Sequence, residues 1–326
     1  MLQPLKNPTV ILLSLVLVFS TNLQAQTLLD RIVAVVNDEI ILQSELKEEV
    51  DLALIELRQR QIAIPDPASL QQRVLDNMIM QTLQEERARQ RGLRVSDEEI
   101  NEQLLQMAQA NNLSLLQLID ALNRQMHNGF AQVRQDISEQ ILIQKLREVE
   151  VISQIFVTEQ EVAHFIQRRQ LEQNNFLYHI AHILITRPDS PTREQRQELE
   201  NKVADIHRRL MSGEDFAQLA VRYSEGSRAL NGGDLGVLAF DQIPSFFADA
   251  IENLQPGEIS PVIESPSGYH LVKLNALTEA GQGNGITLEQ EAIQAIRMRK
   301  ANETFDLWLR RLRDEAFIEI RLEEGV

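Results

Sequence analysis

The chain has 326 residues, 43% of them apolar and 25% charged, and its 48 acidic side chains outnumber the 32 basic ones to give a formal net charge of −16. That length accommodates about two domains with a buried core, and such acidity disfavours non-specific binding to a phosphate backbone. There is no cysteine, which excludes disulfides, zinc–thiolate sites, iron–sulfur clusters and thiol nucleophiles together.

Lys6, the apolar run Val10 to Phe19 and the small residue Ala25 have the order of a secretory signal peptide, residues 1–25, with cleavage expected after Ala25. The run falls short of the roughly 20 residues a membrane span needs, and the alternative is that it persists as an anchor. Two β-branched runs around Asn37-Asp38 predict a hairpin over 30–43. Ser44 is the expected cap of a helix reaching about Arg60. Leu75, Met78, Ile79 and Leu83 share one helical face, and Gly92 suits its end. Ser96-Asp97-Glu98-Glu99 and Thr158-Glu159-Gln160-Glu161 are capping boxes; Ser114 opens another helix, and a longer one runs from Phe130 to about Glu150.

The pattern changes at Phe176. Tyr178 to Ile185 is strand-like, and Leu199, Val203, Ile206 and Leu210 lie at helical spacing before Gly213. A short helix covers Phe216 to Tyr223, Gly232 to Gly236 is a tight turn, a further helix follows Pro244, and Tyr269 to Leu274 alternates as a closing strand. Gly281 to Gly285 reads as a flexible linker. Leu288 to Asp314 is a long helix with the only Trp, and Phe317 to Leu322 an edge strand. One helix and one strand cannot bury their own apolar faces. They are therefore expected to dock on the N-terminal helices, with the last strand beside the opening hairpin.

The expected architecture is multi-domain. A mostly α-helical core is built from N- and C-terminal segments (26–175 and 287–326), and an inserted α+β domain (176–277) hangs on two linkers, the second at 278–286. No Gly precedes Lys, no His precedes Glu, and no Gly-x-Ser-x-Gly elbow occurs, so P-loop, zincin and hydrolase signatures are absent. His179 and His182 fall on opposite faces of a strand and cannot chelate together. No cofactor, metal or nucleotide is expected.

Ala181-His182-Ile183-Leu184, then Gly232-Gly233-Asp234-Leu235-Gly236, then Gly268-Tyr269-His270-Leu271 resemble the motifs of parvulin-type peptidyl-prolyl isomerases. The flanks, with Val33-Ala34-Val35-Val36-Asn37, the helices ending near Arg169 and the closing helix and strand, resemble the SurA family of periplasmic chaperones, here with a single parvulin domain. The resemblance implies an ATP-independent periplasmic protein. It would escort unfolded outer-membrane β-barrel proteins toward their assembly machinery, without nucleic acid, nucleotide or membrane insertion. The alternative is a dedicated periplasmic isomerase. By the same resemblance His182 and His270 are the paired catalytic-site histidines, with Ser265 and Ser267 beside them, and Leu238, Ile243 and Phe247 form the proline pocket. A purely architectural reading of the histidines, as a mutually hydrogen-bonded pair fixing the sheet, stands beside that one.

Two departures bear on activity. Gly226 follows Tyr223-Ser224-Glu225 where active members carry Cys or Asp, and Leu238 stands where an aromatic is usual. Weak or absent catalysis is expected; Glu225 is adjacent, and the sequence leaves open whether it points inward. Met78, Met80, Met107 and Met126 are candidates for an adaptable client groove, against the plainer reading that they are ordinary core.

Overall fold

Strands β1 (Ile32–Val36) and β2 (Glu39–Leu42) form the expected antiparallel hairpin, turned through Asn37 at a positive φ of 51°. Asn tolerates that conformation better than most side chains. The structure, a computed structural model, describes residues 30–125, 129–172, 176–279 and 287–322. The expected signal peptide, Met126 and the glycine-rich stretch 281–285 lie outside the described residues.

Helix α1 (Gln43–Gln59) starts one residue ahead of Ser44, so Ser44 is not its cap. Strand β2 runs straight into the helix, and the Glu45 carboxylate reaches back to accept the Leu42 N–H at 2.8 Å. In α2 (Pro67–Gln90) Pro67 occupies the first turn, Asp66 accepts the Ser69 N–H at 3.0 Å, and Leu75, Ile79 and Leu83 are buried. Beyond its end Gly92 adopts φ 71°. Helices α3 (Asp97–Ala110), α4 (Leu115–Gln125), α5 (Gly129–Glu150) and α6 (Glu159–Glu172) follow. Ser96 with Glu99 and Thr158 with Glu161 form the expected reciprocal caps. Ile100, Leu104, Leu118 and Ile137 close a separate small core between α3, α4 and α5.

The α+β unit is a four-stranded antiparallel sheet in the order β4-β3-β6-β5. Strand β3 (Phe176–Thr186) leads through α7 (Arg193–Met211) and α8 (Phe216–Tyr223) to β4 (Asp234–Ala239). Helix α9 (Ser245–Glu252), β5 (Ile263–Ser265) and β6 (Gly268–Glu279) complete it. Strand periodicity sorts the side chains. Ala181, Ile183, Ile185 and Leu271 pack under α7 and α8, while Ile180, Val272 and Leu274 face α9. Strand β6 runs two residues into the expected linker, because Thr278 and Glu279 pair with Leu177 and Phe176.

Helix α10 (Leu288–Asp314) and β7 (Ile318–Ile320) return to the start of the chain. Strand β7 pairs antiparallel with β1, giving the sheet order β2-β1-β7, and Asn37 exchanges backbone and side-chain hydrogen bonds with Phe317. The first half of α10 packs Ala292, Ala295 and Ile296 against Phe165 of α6. Its second half brings Trp308 and Leu312 to the main core of Leu46, Val74, Leu75 and Ile79. The docking inferred from unsatisfied apolar faces is what the structure contains.

The inserted unit does not hang free. Val221 of α8 and Leu230 join the main core, and Arg73 of α2 donates to the Val221 and Arg222 carbonyls at 3.2 and 3.1 Å. Glu303 of α10 accepts the Ser245 N–H at 2.7 Å, capping α9 from outside the unit. A helix end whose carbonyls point at a neighbour invites a cation, which sequence spacing alone does not reveal.

Candidate functional site

His182 on β3 and His270 on β6 share the α9 face of the sheet, because each alternates with the residues turned toward α7. Pairing sets His182 opposite Val272 and Leu184 opposite His270, so the imidazoles are diagonal neighbours. Their rings stack 5.8 Å apart at 25°. They are not a hydrogen-bonded pair: both Nδ1 atoms are buried without a partner among the described residues. The polar anchor is instead on the other nitrogen of His270, whose Nε2 lies 2.7 Å from Ser265 Oγ and 3.3 Å from Ser267 Oγ. The two serine hydroxyls also bond each other at 2.8 Å.

Phe247 stands edge-on to both rings, at 5.1 Å from His270 and 6.0 Å from His182, and Phe246 lies 5.2 Å from His270. Burial pushes the His182 imidazole down to about 4, and burial together with the nearby His182 pushes His270 to about 3. Both rings are therefore neutral near pH 7.

The loop after α8 forms the adjoining wall. The buried Ser224 hydroxyl accepts the Leu184 and Gly226 N–H groups at 3.1 and 3.2 Å, fixing the loop along β3. Glu225 turns away from the histidines toward Thr186 and Lys202, the latter at 2.9 Å. Burial raises its carboxyl, but Lys202 and the Thr186 hydrogen bonds hold it below the usual carboxylate value. Gly226 packs close against the ring: a Cβ there would stand 3.1 Å from His182 Nε2 and 3.5 Å from Leu184 Cβ.

The Gly232-to-Gly236 turn has a steric basis. At Gly233, with φ 77°, a Cβ would fall 2.2 Å from the His182 carbonyl oxygen, and the Gly233 carbonyl accepts the His182 N–H at 2.8 Å. Asp234 accepts from the Gly236 N–H at 2.8 Å and lies 2.9 Å from His179 Nε2, so His179 braces β3 to β4 away from the pocket.

Of the residues expected in the proline pocket, Leu238 and Phe247 line an open cavity, whereas Ile243 is packed beneath it with Ile180 and Val272. Phe246, Leu235 and Pro244 line the cavity as well, a place not expected of them from sequence. The doublet Phe246-Phe247 behind Pro244 was their available signal.

The cavity measures about 1990 Å³ and is shared between the α+β unit and the helical core. Met78 and Met80 line it while also packing against the main core, so both readings hold for that pair. Met107 is on the exposed side of α3 and takes no part in it. On the core side Glu49 and Glu85 are held above the usual carboxylate value, first by burial and then by neighbouring carboxylates. Asp306 of α10 is pushed up to about 6 by burial, against the pull of Arg147. Among the described residues there is no cluster of metal-binding side chains, and no helix is long and apolar enough to cross a membrane.

Residues 29–147 match the family model of the SurA N-terminal domain, and residues 182–276 that of the PPIC-type PPIase domain. A Chaperone SurA from Hydrogenovibrio crunogenus is 36% identical over 94% of this chain and 92% of its own length. Its aligned stretch of 413 residues exceeds the 326 of this chain, so that relative carries a segment absent here. A second, from Chromohalobacter salexigens, is 40% identical over 76% of this chain, which spans 56% of that protein. A solved PpiC-type peptidyl-prolyl cis-trans isomerase domain is 26% identical, covers 34% of this chain and 98% of its own, and superposes with a TM-score of 0.31. With its helical core, its returning C-terminal helix and strand, and its single rotamase unit, the chain belongs to the SurA family of chaperones.

Proposed function

We propose that the protein is a periplasmic, ATP-independent holdase for unfolded outer-membrane β-barrel proteins, which it passes toward the barrel assembly machinery. Residues 1–25 are removed as a signal peptide, the composite core (26–175 with 287–326) does most of the holding, and 176–277 adds a peptide pocket of weak isomerase activity. The observation that carries this reading is the cavity of about 1990 Å³ into which the histidine pocket opens. A segment seated there touches α9, the sheet and the core at once. Unfolded barrel strands alternate apolar and polar side chains, and this cavity offers both kinds of wall.

Rotation about an Xaa-Pro bond faces a barrier of about 18–20 kcal/mol, because the planar amide is resonance-stabilised. A dry pocket that seats the proline ring between Leu238 and Phe247 lowers it by favouring the twisted amide, whose charge separation is smaller. The neutral His182 and His270, the latter held by Ser265 and Ser267, shape the floor. What supports weak activity is Gly226, which presents no side chain to the amide, and Glu225, which is engaged with Thr186 and Lys202.

Two experiments test the proposal. The mature protein should suppress aggregation of a urea-unfolded porin, and the variant lacking 177–277 should retain most of that suppression. A folded deletion variant that holds no porin overturns the division of labour. On short Xaa-Pro peptides the mature protein should show slow catalysis, abolished by Phe247→Ala; fast catalysis would make it a dedicated foldase. N-terminal sequencing of the secreted protein should begin at Gln26.

A further inference from the structure

The serine turn that anchors His270 is gripped from outside its own unit. Arg310, on α10 of the helical core, has a side chain only 9% exposed. Its Nη1 donates to the carbonyls of Arg187, at the end of β3, and of Pro266 and Ser267, in the turn between β5 and β6, the last two at 3.4 Å. Its Nη2 pairs with Asp189. The Arg187 N–H donates to the same Ser267 carbonyl at 3.1 Å. One guanidinium thus joins the end of β3 to the turn that carries Ser265 and Ser267.

Those two hydroxyls are the hydrogen-bonding partners of His270 among the described residues, since its Nδ1 has none. The ring's orientation and tautomer therefore depend on where the serine backbone sits, and that backbone is held by a residue of another part of the chain. We infer that Arg310 is a positioning residue of the histidine pocket, acting through Ser267 and Ser265 on His270, so that the pocket is complete only when α10 is docked. An ammonium has no planar fork with which to span two strands and a carboxylate, so lysine is a poor substitute. The inference deepens the proposed peptide-isomerising role of the pocket and rests on it for its kinetic consequence alone.

The test uses the mature full chain labelled with ¹⁵N-histidine. Long-range ¹H–¹⁵N correlation reads the tautomer of each ring, with His270 assigned from a His270→Asn variant. In Arg310→Met the His270 ring signals should move while those of His164 and His207 stay. The turnover number on an Xaa-Pro peptide should fall about tenfold, the size expected of a slightly misplaced group, with KM little changed. Arg310→Lys should move His270 in the same direction by less, and it carries the test if Arg310→Met does not fold. Arg73→Ala loosens the docking at α8 without touching the serine turn and should leave His270 in place. An unmoved His270 in a folded Arg310 variant, or an equal movement in Arg73→Ala, overturns the inference. A moved His270 in a protein whose wild type catalyses nothing upholds the positioning and removes the isomerase reading instead.

Discussion

Gly226 is the residue at which sequence and geometry meet most directly. It lies against His182 Nε2, and an added Cβ at 3.1 Å requires the ring to shift by a few tenths of an ångström. Gly226→Asp should cost some stability as the buried His182 ring gives way, and place a carboxyl beside the amide to be twisted, raising the isomerisation rate by about tenfold; a protease-coupled peptide assay reads it. Gly233 is the opposite case. Its φ of 77° and the His182 carbonyl 2.2 Å from a Cβ leave no room, and Gly233→Ala should cost about 2–3 kcal/mol in urea unfolding. The glycine motif was legible from the sequence as a tight turn and by family resemblance, but its steric demand, set by a carbonyl 51 residues away, was not. The partners of Ser265 and Ser267 were legible only through family resemblance, and Arg310 was not legible at all. Its four partners lie on segments far away in the chain, and no spacing rule links them.

At the level of elements, caps and periodicity located nearly every helix, since Ser96, Thr158 and the Leu75–Ile79–Leu83 face act within a turn or two. The miss at Ser44 arose because a strand feeds α1 without a loop, and Glu45 supplies the missing acceptor. The docking of the inserted unit escaped the sequence for another reason: it rests on carbonyls at helix ends, which every residue possesses. Arg73 satisfies two of them at the C-terminus of α8. Arg73→Ala should lower the stability of the full chain by about 1–3 kcal/mol, because it leaves those carbonyls without a charged donor. It should also increase hydrogen exchange along α8, with α3 to α5 unaffected.

For the whole molecule, acid stability follows from the buried titratable groups. His182 and His270 titrate near 6.5 when unfolded but at about 4 and about 3 when folded. Below pH 6.5 the unfolded chain therefore takes up protons that the folded chain refuses, and stability falls by on the order of 1 kcal/mol per histidine per pH unit. Asp306, raised to about 6, works the other way, since between pH 6 and 4 it is the folded chain that gains a proton. The melting temperature should drop from pH 7 to 4.5, and more steeply in Asp306→Asn, which should also be the more stable protein at pH 8. Calorimetry across that range checks both. The sheet β2-β1-β7 has a consequence for the order of assembly. Asn37 and Phe317 are 280 residues apart, yet they share hydrogen bonds at the end of the sheet, where the first hairpin turns. Contacts of such separation close late, while the widest strand pairing inside the inserted unit, Phe176 with Glu279, spans little more than a third of that distance and can close earlier. A chain that emerges N-terminus first therefore has its rotamase unit formed before the sheet β2-β1-β7 is closed by its third strand. Until β7 is made, one edge of β1 lacks its partner strand.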